Sequence, residues 1–425
     1  MGRQDQVRRR RFLQQTAFLA SGAALGLSGC GADETDTPLR VLVASYDESV
    51  GASIGDQWDD LVKAFEKKHP SIQVTVERVP FGSLDATLAR RVEQGKAPDI
   101  AQSNLFASFA EKQLLYAASD LFDIATESDF TLSLAQAGRF RRVQYGIPLM
   151  ASTPRLFYNK ALFDQAGIDA PPRTWNELRD TAQALRTSGV PTPYGLQFGP
   201  EAAEDELYAW LLAGEGDYAT SSGYDFYSDT NVDTLTWLRD NLVTRGLAGQ
   251  NPAKLNRTDA YEQFLGGRIG MMLAHPVLMD AADSVKLPYA HAAFPARRGG
   301  AAIPVGINDW LLAFRQNGRR AACAAFLGFV YGRESAASYG GGRAAALPVT
   351  ESGADVVAAK GNRLGKFIDQ LPRARFQPTA MHSWPEVRQE IRTEIGRAVR
   401  RDGDPDTILR SLQAGATRSE ATAGS

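Results

Sequence analysis

Alternating strand and helix signals predict an α/β protein built as two halves. Three observations carry this. The chain has 425 residues, too many for one small core. Its first ordered stretch reads strand, helix, strand, which implies a parallel sheet. A segment from Gly146 to Leu178 then punctuates the chain with cap and turn chemistry between two such regions. Hydrophobic content of 44% and charged content of 23% are those of a globular protein.

Leu39–Ala44 is a short apolar run and reads as a buried first strand. Trp58, Leu61, Val62 and Phe65 recur at helical spacing, and Lys67, Lys68 and Pro70 supply stop signals. Ile72, Val74 and Val76 alternate as a second strand. Leu84–Gln94 reads as a helix ended by Gly95, and Ile100 enters a third strand that ends near Gln102, Ser103 and Asn104. Residues 109–115 read as a further helix leading to a turn over 117–122. Arg155–Tyr158 reads as a strand, followed by a short helix to Ala166 that Gly167 closes in a left-handed cap. Pro171-Pro172 stops any continuation. Thr174 and Glu177 form a capping box for the next helix, 176–186. Tyr194–Gln197 is a strand and Asp205–Leu212 a helix. Leu235, Leu238 and Leu242 mark another helix. Gly266–Met272 is a glycine-rich strand entry, Ile303–Phe314 a strand region, and Ala321–Tyr331 an apolar helix holding Cys323 as a buried thiol. Val387, Ile391 and Ile395 mark a C-terminal helix, and residues 414–425 read as a frayed tail.

The N-terminus carries an address. Arg8–Arg11 is a basic segment, and a small, apolar run from Thr16 to Leu27 follows. That run is too short to span a bilayer and reads as a signal peptide, residues 1–29. The Arg9–Leu13 stretch is similar to a twin-arginine export signal with Gln14 in place of the usual Lys, which leaves both export routes open. Leu27-Ser28-Gly29-Cys30 resembles a bacterial lipobox, which implies a lipid on Cys30. Residues 30–38 then form a polar tether.

Net charge of -2 gives no reason to expect nucleic acid. Two cysteines make no disulfide framework, and His69, His275, His291 and His382 lack metal-ligand spacing. No G-x-S-x-G, H-E-x-x-H or phosphate-binding glycine motif is present, so no catalytic residue, cofactor or metal is expected.

Several ordered motifs resemble the extracellular solute-binding proteins of ABC importers, the sugar-binding branch in particular. They are the Phe-Glu-Lys-Lys-His-Pro helix ending, Ala97-Pro98-Asp99-Ile100, the Gly146-to-Leu178 crossover, Gly267-Arg268-Ile269-Gly270-Met271-Met272 and Leu347-Pro348-Val349. The resemblance implies a two-lobed periplasmic-binding-protein-like fold of type II, with discontinuous lobes joined by hinge strands. By this analogy residues 39–147 and 286–340 form the N-terminal lobe, and 148–285 and 341–413 the C-terminal lobe. It further implies a monomer that captures a carbohydrate by hinge closure and hands it to transmembrane permease subunits. The protein would be exported and lipid-anchored to the outer face of the membrane through Cys30.

A sugar site needs planar carboxylates or amides for hydroxyls and rings for C–H faces. Candidates at strand ends and loops are Asp47, Asn104, Asp205 and Asp309, with Tyr46, Tyr208, Trp210, Trp310 and Trp384 as rings, and Arg343. By resemblance to maltodextrin binders, Asn104 and Ser152 fall at sugar-bonding positions, Tyr208 in an aromatic pair and Trp384 at a stacking position. Ala101 and Val277 fall at two other tryptophan positions, which argues against a long maltodextrin. Trp58 and Trp237 read as core and Trp175 packs at a helix start; Trp310 fits core or site, and Asp47 and Asp205 fit caps or site. Three further readings stay open: a receptor for another polar solute such as a glycerophosphodiester, a secreted polysaccharide-acting enzyme using Asp47 and Asp205, and an exported scaffold or sensor with no ligand.

Overall fold

The computed structural model describes residues 37–45, 48–300, 302–332, 335, 346–359 and 363–423, with backbone alone over 48–56. Two sheets organise them. The first runs in the order Arg375–Phe376, Val305–Ala313, Ile100–Gln102, Thr37–Ser45 and Ile72–Pro80, with Ile147–Ser152 also paired to Val305–Ala313. The second runs Tyr289–Ala292, Arg155–Asn159, Ile269–Ala274, Thr192–Gly195. The expected β-α-β unit is present: Thr37–Ser45 and Ile72–Pro80 pair in parallel, joined by the helix Glu48–Lys68.

Alternation along the strands builds three cores. Leu39, Val41 and Val43 point to one face of the first sheet, and Leu42 and Ala44 to the other. On the second sheet Phe157, Met272 and Ala274 join the same cluster as Val41 and Leu311, whereas Leu156, Met271 and Leu273 point to a separate one. One apolar cluster is therefore shared by both sheets.

The segment over 155–187 forms as its caps dictate. Asn159 Oδ1 accepts from the Leu162 amide at 3.3 Å, and Gly167 turns the chain at φ 67°. Thr174 Oγ1 accepts from the Glu177 amide at 3.2 Å. The Glu177 carboxylate reaches back one residue further than a standard capping box, to the Arg173 amide at 2.7 Å.

Some boundaries differ from expectation. Ile147–Ser152 belongs to the first sheet, because Ile307 pairs with Ser152 and Leu311 with Ile147, so the chain crosses at Thr153-Pro154. Tyr289–Ala292 belongs to the second sheet, paired with Arg155–Asn159, so the return lies within 293–304. Arg375–Phe376 adds to the first sheet, and Leu347 and Thr350 bridge to Ala151 and Phe130, so residues 341–413 do not keep to the second sheet. The helix expected over 109–115 is Phe106–Glu111, because Gln113 takes φ 57° and breaks it, and the turn after it carries the helical turn Ala118–Leu121. The expected frayed tail is helical: Pro405–Ala423 packs on Trp384–Ala398 with Ala416 fully buried, and Glu420 accepts from the amide and hydroxyl of Ser383. No helix among the described residues is long and apolar enough to cross a membrane.

Candidate ligand-binding site

Open α/β sheets gather ligands at the C-terminal ends of their parallel strands. At that end of the first sheet, Gln102 Oε1 accepts from the Ala44 amide at 3.0 Å, and its Nε2 donates to Asp309 Oδ2 at 3.0 Å. Ser103 Oγ donates to Asp85 at 2.6 Å. Asn104 follows, half-buried; its Oδ1 is buried and takes no hydrogen bond from the described residues. Asn308, on the neighbouring strand, likewise has both amide atoms buried without a bond among the described residues.

At the same end of the second sheet, the strand Thr192–Gly195 runs out to Gln197, Ile269–Ala274 to His275, and the helix Ala203–Ala213 begins. With Pro154 of the crossover, these line a cavity of about 20 Å³ that Asp205, Glu206, Arg257 and Leu273 complete. This is about the room one water molecule takes. Larger grooves exist, one of about 790 Å³ lined by Arg186, Gly249 and Arg400, but it lies toward the opposite strand ends, beside Pro191.

Carboxylates crowd this edge. Glu206 is buried and accepts from Tyr194 Oη at 2.8 Å, Trp210 Nε1 at 3.0 Å and Gln197 Nε2 at 3.3 Å. Burial nevertheless pushes its pKa up to about 7. Asp205 accepts from Gln377 Nε2 at 2.6 Å and faces Arg257 at 3.8 Å. Burial and then the Glu204 charge raise it to about 7 as well. Glu204 is held by Arg392 through two bonds. His275 donates its amide proton to Tyr261 Oη at 2.9 Å, and its Nδ1 lies 2.9 Å from Ser152 Oγ. Burial, then Arg257, depress its pKa to about 3, so the ring is neutral at pH 7.

The sequence-named residues separate into three groups. Asp205 lines the cavity, Ser152 touches His275 on its wall, and Asn104 and Asp309 sit at the first-sheet edge. The rings do not form open plates. Trp210 is fully buried, packed against Trp175 at 5.4 Å and Phe294 at 5.0 Å. Trp310 is core because Gly138 and Gly146 let its ring press onto their backbones; a Cβ at either would stand 2.7–2.8 Å from it. Tyr208 stacks on Tyr218 at 4.5 Å, and Tyr218 lies 5.4 Å from Trp384, so Tyr208 and Trp384 are joined through a third ring in one buried cluster. Tyr46, Asp47, Arg343 and Cys30 lie outside the described residues. His382 contacts Glu111 at 2.8 Å. Sequence reasoning missed Gln197, Glu206, Arg257 and His275 as site residues. The strand-end rule pointed at Gln197 and His275; Arg257 is brought in only by the tertiary fold.

Two α/β sheets meeting at their ligand-bearing ends, with two crossovers between them, define a two-lobed binding protein of type II periplasmic-binding architecture. The structure of the cyclic α-maltosyl-1,6-maltose binding protein from Arthrobacter globiformis shares this fold, with TM-score 0.77 and 18% identity over 91% of this chain and 99% of that one. UgpB from Mycobacterium tuberculosis, in complex with glycerophosphocholine, shares it too, with TM-score 0.76 and 20% identity over 91% and 98%. A binding protein of Brucella abortus strain 2308 is 26% identical over 405 residues, 94% of this chain and 96% of its own. The family model for bacterial extracellular solute-binding proteins matches residues 51–337, and the chain belongs to that family.

Proposed function

We propose that this protein is the capturing receptor of an ABC importer and that its ligand is a carbohydrate of one to a few residues. The observation that carries this is the polar cavity at the strand ends of the second sheet, walled by Gln197, Asp205 and His275, with Ser152 of the first sheet touching His275; at about 20 Å³ it would have to widen, as the lobes part, to admit a sugar. Amides, a carboxylate and a hydroxyl suit sugar hydroxyls. The burial of Trp210, Trp310 and Trp384 argues against a long stacked chain of sugars. Ligand would select a closed state by drawing the two lobes together about the crossovers at 153–154 and 293–304. The lobes we assign are those of the two sheets. The lipobox-like residues up to Cys30 support export and a lipid anchor on the outer face of the membrane, and permease subunits would receive the cargo. Glycosidic hydrolysis is not part of this reading.

A glycerophosphodiester is the second reading, favoured by Arg257 on the cavity wall and by the glycerophosphocholine-bound UgpB fold. Native mass spectrometry of protein purified without refolding, followed by calorimetry with glucose, maltose, trehalose and glycerophosphocholine, separates the two. A hexose-based mass and heat from a saccharide are expected. Heat from glycerophosphocholine alone would replace the first reading by the second.

A further inference from the structure

Gln197 is 5% exposed and lies on the cavity wall. Its Nε2 donates to two acceptors, Leu273 O at 2.8 Å and Glu206 Oε2 at 3.3 Å. Turning the amide over would set its oxygen against the Leu273 carbonyl, which cannot donate whichever protonation state Glu206 takes. The orientation is therefore fixed by chemistry, and Oε1, which takes no hydrogen bond from the described residues, is left to the cavity. Glu206 cannot swing away to release it. Its Oε1 is held by Tyr194 Oη at 2.8 Å and Trp210 Nε1 at 3.0 Å, and both rings are fully buried. Leu273 O belongs to the strand backbone and is equally fixed. The cavity thus meets a ligand with a lone amide oxygen that has no freedom to become a donor. Asp205 adds a second acceptor on the same wall.

We infer that Gln197 is a specificity-determining residue, locked by Glu206 and Leu273 as an acceptor so that the bound solute must present a hydroxyl hydrogen at this point. This rests on the carbohydrate reading and deepens it. A ligand whose hydroxyl here is replaced by hydrogen or by O-methyl leaves Oε1 dehydrated and unpaired, and sites built around a hydrogen bond reject such analogues strongly. Glu206 acts as a positioning residue: it touches the amide of Gln197, not the solute.

The test is calorimetry of wild type, Gln197→Met and Glu206→Gln with glucose, maltose and trehalose, then with the monodeoxy series of whichever binds tightest. In wild type, one deoxy position is expected to weaken binding by roughly tenfold or more. In Gln197→Met the parent sugar weakens by a similar factor and that deoxy analogue binds no worse than the parent, a loss of discrimination that a general packing defect would not produce. Glu206→Gln weakens the discrimination, because Trp210 Nε1 and Tyr194 Oη keep its oxygen and leave its amide nitrogen, a donor, against Gln197 Nε2. Folding of each variant is read from its unfolding transition, and Glu206→Gln serves if Gln197→Met does not fold. Unchanged discrimination in the folded variants overturns this inference while leaving the carbohydrate reading standing. No heat from any sugar with wild type removes both.

Discussion

The two facing sheet ends use different chemistry for the same task. The first-sheet edge is built mainly of amides: Gln102, Asn104 and Asn308, with the Asp309 carboxylate accepting from Gln102. The second-sheet edge is charged: Glu204, Asp205 and Glu206 open one helix, facing Arg257 and Arg392. The helix N-terminus favours those carboxylates, whereas burial opposes their charge, and the raised values of Asp205 and Glu206 show that burial wins. The comparison teaches where stability is staked. The second edge holds buried carboxyls that must stay partnered, Glu204 by Arg392 above all. The first holds amides with unfilled bonds that a solute can complete.

The largest expected effect breaks the charged edge. Arg392→Ala leaves Glu204, 2% exposed, without its bidentate partner. Stranding a buried charge costs about 4 kcal/mol, visible as a lower urea midpoint. Next comes the pH response of Glu206. Its carboxyl binds protons more tightly folded than unfolded, from 4.5 to about 7, so its contribution to stability is present below pH 4.5 and is lost as pH rises through 7. Glu206→Gln is therefore expected to remove that downward slope, with a difference of roughly 3 kcal/mol between acid and pH 8 on the ~1.4 kcal/mol per unit scale. Unfolding transitions of both proteins from pH 4.5 to 8 check this; parallel curves would refute it.

On the first half, Gly146→Ala probes packing rather than charge. A Cβ there would stand 2.8 Å from the Trp310 ring, and the overpacking costs about 2 kcal/mol with no pH dependence. The smallest stability effect belongs to Asn104→Ala. Its side-chain oxygen makes no bond to lose, so stability should hold within about 0.5 kcal/mol while sugar affinity falls. A marked loss of stability would show that Asn104 is structural.

Much of the fold was legible because local chemistry wrote it. The first β-α-β unit followed from Val41–Val43, the Trp58–Phe65 spacing and Pro70. The strand, short helix and capped helix over 155–187 followed from Gly167 and Thr174. Both are short-range signals that tertiary packing only confirms. Exposure is not short-range. Tyr208, Trp210 and Trp384 sit at helix positions that suit core or cleft equally, and what buries them is Tyr218, Trp175 and Phe294, distant in sequence. Arg257 reaches the cavity from a helix start 52 residues beyond Asp205, which no spacing rule joins to it. The lobe boundaries shifted because a strand's sheet is decided by its pairing partner: Ser152 with Ile307, and Tyr289 with Asn159.

The most direct measurement is calorimetric titration of wild type and Asp205→Asn with the saccharide that mass spectrometry finds bound. Saturable heat with wild type, and affinity at least tenfold weaker in a folded Asp205→Asn, is the predicted result. Equal affinity in the two proteins would place the solute away from this cavity and contradict the account.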